Sequence, residues 1–267
     1  MIRTIVIGAA GRMGRRLVTN IMEAEDMELA GAIEWSGSPD LGKDAGLLAG
    51  CAESGVKITS ELKPLLTDAD AIIDFSTGDV TINAELAVKN NCAVVIGTTA
   101  LDEKGKEKLK ELGKNGKLVF ASNMSVGVNL LFSLVGKVAG ILGEDYDIEI
   151  VEMHHNQKKD APSGTAVTLA ERICTATGMS YENDVAHGRE GIVGARPKRE
   201  IGMHAVRGGD VVGDHTVIYA TGGERIELTH KASSRDTFAK GALRAVRFLS
   251  GVNANGLYDM QDVLKLK

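Results

Sequence analysis

Residues 153 to 165 carry the densest group of chemically active side chains in this sequence. They read Met-His-His-Asn-Gln-Lys-Lys-Asp-Ala-Pro-Ser-Gly-Thr, so imidazoles and ammonium groups lie a few residues apart. Imidazoles exchange protons near neutral pH, and ammonium groups attract anions. Ser163-Gly164-Thr165 then precede an apolar run, which is typical of a helix start whose unbonded amides favour a carboxylate. The segment predicts a site that binds an acidic small molecule and protonates it.

A glycine-rich loop near the start of the chain predicts a dinucleotide site. Gly8-Ala9-Ala10-Gly11-Arg12-Met13-Gly14 follows the β-branched run of residues 2–7 and opens a helical pattern. In such a loop the first glycine permits the turn, the second lets the backbone approach a pyrophosphate, and the third packs the helix on the sheet. Glu34 lies 20 residues beyond Gly14, where an acid binds the ribose hydroxyls. The alternative is a plain glycine-rich turn with a surface glutamate.

The residue after Glu34 bears on the choice of coenzyme. Trp35 stands where the ribose 2′-phosphate of NADP usually meets an arginine, and Trp35 carries no charge. The carboxylate of Glu34 would also repel that phosphate. The sequence therefore favours NADH over NADPH, although Arg12 could compensate for the missing positive charge.

Two further loops follow predicted strands and could flank a nicotinamide. They are Gly97-Thr98-Thr99 and Ala121-Ser122-Asn123-Met124. Because an open α/β sheet binds ligands at the carboxyl ends of its strands, both loops lie on the expected side. The alternative for each loop is a helix cap or a turn.

Strand-like and helix-like patterns alternate through the first half of the chain. The strand-like runs are residues 2–7, 27–33, 71–75, 93–96 and 117–121, and the helical ones are 12–24, 79–90 and 102–113. Because short turns join them, this α/β alternation predicts a parallel sheet of the Rossmann type with helices on both faces.

The pattern changes after about residue 125. Helices are predicted at about 126–142, 163–177 and 235–250, a strand at 146–153 and a long polar loop at 179–200. Strand-like pieces follow at 201–206, 210–213, 215–220 and 224–229. We expect a second, α+β domain built on an open mixed sheet.

Composition narrows the class of protein. The net charge of -5 and the pI near 5.7 argue against a nucleic-acid partner. The three cysteines, Cys51, Cys92 and Cys174, have no paired spacing, which fits a reducing cytoplasm. The N-terminal apolar run is too short for a signal peptide, and no run approaches the roughly 18 apolar residues of a membrane span. We therefore expect a cytoplasmic protein without a membrane partner.

The glycine-rich loop and the His-His segment together carry a resemblance to a known family. The sequence resembles the 4-hydroxy-tetrahydrodipicolinate reductases, also called dihydrodipicolinate reductases, of bacterial lysine and diaminopimelate biosynthesis. The segment from the His-His pair to Ser-Gly-Thr is highly specific, whereas many dehydrogenases share the glycine-rich loop. The matching motifs run essentially end to end and are Gly8-Ala-Ala-Gly-Arg-Met-Gly14, Val95-Ile-Gly-Thr-Thr99, Asn123-Met-Ser-Val-Gly-Val-Asn129, Glu152-Met-His-His155, Lys158-Lys-Asp-Ala-Pro-Ser-Gly-Thr165, Arg207-Gly-Gly-Asp210, Gly213-Asp-His-Thr-Val217 and His230-Lys-Ala-Ser-Ser-Arg235.

The resemblance implies a homotetramer and a division into three segments. Residues 1–125 would form the dinucleotide-binding domain and residues 126–234 the substrate-binding and tetramerisation domain. Residues 235–267 would return to the dinucleotide-binding domain. The implied coenzyme is NADH or NADPH, and the implied substrate is a small dicarboxylate.

The resemblance also assigns site residues. The family's catalytic positions fall on His154 and Lys158, and its substrate contacts fall on His155, Gly164 and Thr165. Its cofactor contacts fall on Gly8, Ala9, Ala10, Gly11, Arg12, Met13, Glu34, Gly97, Thr98, Thr99, Ala121, Ser122, Asn123 and Met124. No metal is implied.

The implied reaction is the reductive removal of a hydroxyl group from a cyclic imine-type dicarboxylate, with release of water. Hydride transfer needs an electron-poor acceptor beside a proton source. Our hypothesis is that Lys158 delivers the proton while His154 assists the transfer or orients the substrate. Two departures from the family matter: Trp35 replaces a frequent Arg, and Asn156-Gln157 replace a frequent Arg-His pair, which removes positive charge near the dicarboxylate.

Two other functions compete with this reading. A metal hydrolase could use Glu152, His154 and His155, but adjacent histidines point in different directions and the spacing lacks an i,i+4 pair. A redox sensor could bind NADH without catalysis, but the acidic chain shows no DNA-binding pattern.

Overall fold

The computed structural model describes residues 1–98 and 101–267, which form two compact units. Unit 1 comprises Met1–Val126, Arg235–Lys265 and Lys267, and unit 2 comprises Gly127–Ser234 and Leu266. The predicted pairing of a Rossmann-type parallel sheet with a second mixed-sheet domain is confirmed.

Unit 1 is built on a seven-stranded sheet in which every pair of neighbouring strands is parallel. Its spatial order is β12-β6-β5-β4-β1-β2-β3. The strands are β1 (Ile2–Ile7), β2 (Met27–Ile33), β3 (Ile58–Thr59), β4 (Ala71–Asp74), β5 (Ala93–Ile96), β6 (Lys117–Phe120) and β12 (Gly256–Tyr258). The helices are α1 (Arg12–Met22), α2 (Ala45–Ala49), α3 (Val80–Lys89), α4 (Glu103–Gly113), α8 (Asp236–Gly251) and α9 (Met260–Val263), and a 3-10 helix spans Lys63–Asp68.

Alternate residues of the central strands feed two separate cores in unit 1. Val6 of β1 packs in a cluster with α1 and α8, whereas its neighbours Ile5 and Ile7 pack in a cluster with α3 and α4. Side chains of a strand point alternately to the two faces of its sheet, and helices cover both faces here. This explains why these strands are continuous apolar runs rather than alternating ones.

Unit 2 is built on a five-stranded mixed sheet with the order β11-β10-β7-β9-β8. The strands are β7 (Asp147–His154), β8 (Val185–His187), β9 (Ile201–Arg207), β10 (Gly213–Thr221) and β11 (Glu224–Ala232). The helices are α5 (Val126–Leu142), α6 (Gly164–Thr177) and α7 (Tyr181–Asp184), and a 3-10 turn spans Gly143–Asp145. Tyr219 of β10 is fully buried, and its hydroxyl donates to the carbonyl of Val135 in α5 at 2.7 Å.

Two predictions for unit 2 were wrong in detail. The predicted loop at 179–200 contains α7 and β8. β8 was missed because a strand of three residues at a sheet edge is too short to show a period. Residues 210–212 of the strand predicted at 210–213 form a loop, and β10 begins only at Gly213. Two apolar residues between glycines produced that misleading signal.

Helix α5 is more apolar than the other described helices of unit 2. Together with the turn after it, Val126–Asp145, it is long and apolar enough to cross a membrane by length and composition alone. A core helix of a soluble protein passes the same test. Its buried side chains, Val128, Leu131, Phe132, Val135 and Ala139, pack in the core of unit 2.

Candidate active site

The loop between β1 and α1 has the geometry that the glycine spacing predicts. Gly8 adopts a left-handed φ of 77°, and its amide donates to the carbonyl of Ile33 at 2.9 Å. A Cβ at Gly14 would lie 2.0 Å from the carbonyl oxygen of Gly8. Only glycine at position 14 therefore lets α1 approach the loop so closely.

The first turn of α1 is suited to an anion. Gly11 is its N-cap, and among the described side chains none caps it and none in that turn is acidic. Amides in a first helical turn have no partner within the helix, and the helix dipole favours negative charge there. The turn therefore fits the pyrophosphate of a dinucleotide.

A cavity of about 550 Å³ adjoins this loop. It is lined by Gly8, Gly11, Glu34 and Trp35, which the sequence singled out, and by residues that it did not. The additional lining residues are Ile7, Ile33, Ser60, Phe75, Ser76, Thr77, Gly78 and Asn83. A narrow cleft at the carboxyl edge of a parallel sheet is where this fold binds nucleotides.

Glu34 and Trp35 shape one end of the cavity. Glu34 Oε1 accepts the amide hydrogen of Ala10 at 2.8 Å, which ties the end of β2 to the glycine-rich loop. Trp35 is 67% exposed. A Cβ at Gly37 would lie 2.0 Å from the indole, so the ring lies over the Gly37 backbone.

The segment after β4 was missed as a binding loop. Asp74 was not predicted as a site residue, but it is fully buried and its Oδ1 accepts the amide hydrogen of Ser76 at 2.9 Å. Its Oδ2 accepts from the Asn83 side chain at 2.8 Å, so Asp74 fixes the turn that lines the cavity. The rule that pointed to Gly97 and Ala121, a loop at the carboxyl end of a parallel strand, would have found this segment too.

The other predicted cofactor residues differ in accessibility. Gly97 and Thr98 follow β5, and a Cβ at Gly97 would lie 2.2 Å from the ring of Phe75. Thr99 lies outside the described residues. The side chains of Ala9 and Met124 are buried in a core of unit 1, so only their backbone atoms can meet a ligand. The remaining predicted residues, Arg12, Met13, Ala121, Ser122 and Asn123, are exposed or partly exposed.

In unit 2, β7 carries two buried polar side chains that contact each other. The burial pattern of β7 alternates, so Glu152 and His154 face the same side as Ile148 and Ile150. Glu152 Oε2 lies 2.6 Å from His154 Nδ1. Arg207 of β9 forms a bidentate pair with the same carboxylate, with both N–O distances 2.8 Å. The predicted acid–base residue His154 therefore belongs to a charged, buried cluster.

Burial and hydrogen bonding oppose each other in this cluster. Burial tends to raise the pKa of Glu152, but hydrogen bonds from Arg207, His154 and the Ser163 amide outweigh it and hold that pKa below its usual value. Burial lowers the pKa of His154, and the hydrogen bond to Glu152 opposes this without cancelling it. Together these effects favour an ionised Glu152 beside a neutral imidazole.

Lys158 lies in the loop that leads from β7 to α6. Its ammonium donates to both carboxylate oxygens of Asp160 at 2.9 Å. The charge of Lys158 also contributes to lowering the pKa of His154. His155 is partly exposed, and its amide donates to the carbonyl of Val211 at 2.8 Å. His154, His155 and Lys158 thus occur in one short segment of unit 2.

Helix α6 begins where the sequence predicts. Ser163 is the N-cap, and its hydroxyl accepts the amide hydrogen of Ala166 at 3.2 Å. A Cβ at Gly164 would meet nothing within 4 Å, so the backbone there is open to a ligand. Helix geometry aims the first-turn amides, including those of Gly164 and Thr165, away from the helix body. Such a turn fits a carboxylate.

His215 is a buried neighbour of this cluster. Its ring centroid lies 5.1 Å from that of His154, and its Nε2 lies 3.0 Å from Ser163 Oγ. Burial lowers the pKa of His215 to about 3, so its imidazole is neutral at physiological pH. His215 therefore packs against the cluster as a neutral neighbour.

The contacts of Glu152 differ from those expected of the metal ligand considered above. Among residues 1–98 and 101–267, no three or more His, Cys, Asp or Glu side chains lie close enough together to hold a metal ion. Both oxygens of Glu152 are occupied by hydrogen-bond donors. The period-two alternation of β7 could have shown from sequence that Glu152 and His154 share a face.

Comparisons with known proteins identify the family of this chain. Residues 2–124 match the family model for the dihydrodipicolinate reductase N-terminus, and residues 127–264 match the model for its C-terminus. The chain is 51% identical to the 4-hydroxy-tetrahydrodipicolinate reductase of Syntrophotalea carbinolica and covers 100% of both chains. It is 49% identical, again over 100% of both chains, to the enzyme of that name from Hahella chejuensis.

A solved structure is similar over nearly the whole length of the chain. The dipicolinate-bound dihydrodipicolinate reductase from Paenisporosarcina sp. TG-14 superposes with a TM-score of 0.77 at 27% identity, covering 98% of each chain. Both family models and the full-length relatives point the same way, and the chain belongs to the dihydrodipicolinate reductase family.

Proposed function

We propose that this chain reduces 4-hydroxy-tetrahydrodipicolinate to tetrahydrodipicolinate, with release of water, in lysine biosynthesis through diaminopimelate. Family membership and the Rossmann-type unit imply a nicotinamide coenzyme. In the balanced reaction, the substrate, NAD(P)H and one proton give the product, NAD(P)⁺ and water. The reactive carbon gains the hydride, and the departing hydroxyl leaves with the proton.

The observation that carries this proposal is the short chain segment from His154 to the start of α6. An imidazole lies at the end of β7, an ammonium group lies in the loop that follows, and an open helix N-terminus begins α6. A site that binds a dicarboxylate and supplies a proton to it needs these three features. Other dehydrogenases of small acids share the glycine-rich loop but do not require this segment.

The residues of this site have distinct proposed roles. The amides of Gly164 and Thr165 hold one carboxylate of the substrate, and His155 binds beside it. Lys158 delivers the proton, and the carboxylate of Asp160 holds its ammonium group in position. His154 assists the proton transfer or orients the ring. The dihydronicotinamide, when bound, supplies the hydride.

The proposed coenzyme preference is NADH. Trp35 offers no positive charge to a ribose 2′-phosphate, and the Glu34 carboxylate lies at the same end of the cavity. Because Glu34 Oε1 already accepts from the Ala10 amide, it is held where a ribose hydroxyl would donate to its other oxygen. A phosphate at this position would face an unscreened negative charge.

The proposal is tested by coenzyme oxidation with substrate made in place. Pyruvate and aspartate semialdehyde are condensed by the preceding synthase, and NADH and NADPH are supplied in separate reactions. We expect oxidation that depends on the synthase and is faster with NADH. Binding of NADH without any oxidation would contradict the reductase function and favour a regulatory role.

Assembly and location are also proposals. We expect a homotetramer formed through unit 2, because the resemblance to the family implies one. Light scattering after size-exclusion chromatography measures the assembly directly. We also expect the protein to work in the cytoplasm, since Cys51, Cys92 and Cys174 are free thiols.

A further inference from the structure

Glu152 is a fully buried carboxylate in the middle of unit 2. Its exposed fraction is 0%, and it shares the covered face of β7 with Ile148 and Ile150. A buried charge is costly unless it is paired and its remaining lone pairs accept hydrogen bonds. A hydrophobic residue would pack at this position without that cost, so the carboxylate needs an explanation.

Four donors surround the carboxylate, two on each oxygen. Oε1 accepts from the Ser163 amide at 2.9 Å and from Arg207 Nη2 at 2.8 Å. Oε2 lies 2.8 Å from Arg207 Nη1 and 2.6 Å from His154 Nδ1. An ionised carboxylate only accepts hydrogen bonds. His154 Nδ1 must therefore carry the hydrogen in this contact.

The opposite nitrogen of the ring, Nε2, is left as the one that can exchange a proton. A Cβ at Gly213 would lie 3.0 Å from His154 Nε2, closer than most real Cβ contacts. A glycine at the start of β10 thus leaves space beside that atom. The imidazole is fixed on the Nδ1 side and unobstructed by a side chain at position 213 on the Nε2 side.

We propose that Glu152, neutralised by Arg207, is a positioning residue that fixes His154 with its hydrogen on Nδ1 and leaves Nε2 to exchange the reaction's proton. This inference rests on the proposed function of the His154 segment. Glu152 is buried and acts through His154, so it is not itself a catalytic residue.

Arg207 does more than balance the charge. Besides pairing with Glu152, its Nη2 donates to the carbonyl of Asp160 at 2.8 Å. One guanidinium therefore links the carboxylate behind His154 to the loop that carries Lys158. Movement of that loop away from β7 would break a charge-assisted hydrogen bond.

The titratable groups facing His154 come from three strands and one loop. Glu152 of β7 stabilises the imidazolium, whereas Arg207 of β9 and Lys158 of the loop destabilise it, and the neighbouring His215 of β10 is neutral. A carboxylate without Arg207 would hold His154 protonated more strongly. The pairing lets Glu152 orient the ring without trapping it as a cation.

The first test is the tautomer of His154 in Glu152→Gln. Solid-state NMR of histidine labelled with ¹⁵N reports which ring nitrogen carries hydrogen, and His154→Gln identifies the signal. We expect Nδ1–H in the wild type and a gain of Nε2–H in Glu152→Gln, because a carboxamide can donate to Nδ1. The signal of His215 serves as an internal check that the fold is retained.

The second test separates orientation from stability. Glu152→Gln should lower kcat about 100-fold or more while the Kd for NADH stays unchanged, because one acid–base group contributes about that much. The matched control is Glu149→Gln, which removes another carboxylate of β7 that is bonded to arginines and to a histidine. It should destabilise the fold but leave kcat and the His154 signal unchanged.

Arg207→Gln gives a third measurement that needs no turnover. Without the guanidinium, the pKa of His154 should rise, as measured from the same labelled nitrogen signals. An unchanged tautomer in Glu152→Gln would overturn the inference, as would an equal loss of kcat in Glu149→Gln. Absence of reductase activity in the wild type would refute the proposed function instead, while the NMR result would still decide the role of Glu152.

Discussion

The carbonyl oxygen of Gly8 occupies the space that a side chain at Gly14 would need. A Cβ at Gly14 would lie 2.0 Å from that oxygen and 2.7 Å from the Cα of Ala9. The contact fixes the start of α1 against the loop that is expected to hold the pyrophosphate. Coenzyme affinity and the stability of unit 1 should therefore depend on the same atom.

Replacing Gly14 by alanine tests this dependence. The substitution should lower the free energy of unfolding by about 1–3 kcal/mol, as overpacking does, and weaken NADH binding at least about tenfold. Urea unfolding and fluorescence titration measure the two effects. Gly222→Ala is the control, since a Cβ there meets nothing within 4 Å. Tight NADH binding by Gly14→Ala would show that the close contact is not required.

Lys158→Ala should remove the proposed proton donor. Turnover should fall about 100-fold or more while NADH still binds, because one acid–base group typically contributes that much. Steady-state kinetics and a coenzyme titration measure the two quantities. Lys159→Ala is the matched control, because Lys159 is exposed and adjacent. Near-normal turnover in Lys158→Ala would eliminate the assignment.

Trp35→Arg should shift the coenzyme preference toward NADPH. A guanidinium at this edge of the cavity would pair with the ribose 2′-phosphate, and we expect kcat/KM for NADPH to rise about tenfold, roughly 1.4 kcal/mol. Trp35→Phe keeps an uncharged aromatic ring. It should leave the ratio of the kcat/KM values for NADH and NADPH nearly unchanged. An equal shift in both variants would mean that the indole, not the missing charge, sets the preference.

Glu149 should make unit 2 sensitive to acid. Burial would raise its pKa, but hydrogen bonds from Arg189, Arg196 and His204 outweigh burial and lower the pKa from 4.5 to about 2. Because the folded-state value is the lower one, the stabilisation is fully present above 4.5 and is lost as the pH falls toward about 2.

The measurement for Glu149 is urea unfolding across that acid range. The free energy of unfolding should fall less steeply with decreasing pH in Glu149→Gln than in the wild type. His204→Gln, which keeps both arginines beside Glu149, should retain most of the slope. Identical slopes in Glu149→Gln and the wild type would show that this carboxylate is not responsible.

Most of the fold could be predicted because its signals are local. Short apolar runs predicted β1, β2, β4 and β5, and the Ser163 cap marked the start of α6. Elements such as β8 and β12 were missed, since strands of three residues at a sheet edge have too few side chains to show a period.

The candidate site was only partly readable from sequence. The spacing and the family resemblance pointed to His154 and Lys158, but the partners of His154 were not identified. Arg207 lies 55 positions from Glu152, and register pairs His154 with Arg207 across β7 and β9. Pairing between distant strands is a tertiary property that no local pattern contains. Asp74 was not identified as a site residue for a similar reason, because its partner Asn83 lies in the next helix.

The most direct test of the central claim follows the hydride itself. Purified protein is given substrate formed in place and NADH that carries deuterium on the transferring face of C4, and the ring product is analysed by mass spectrometry. If the hydride passes to the substrate, we expect tetrahydrodipicolinate with one deuterium on carbon. Its appearance without deuterium, or consumption of NADH without any ring product, would contradict the proposed reduction.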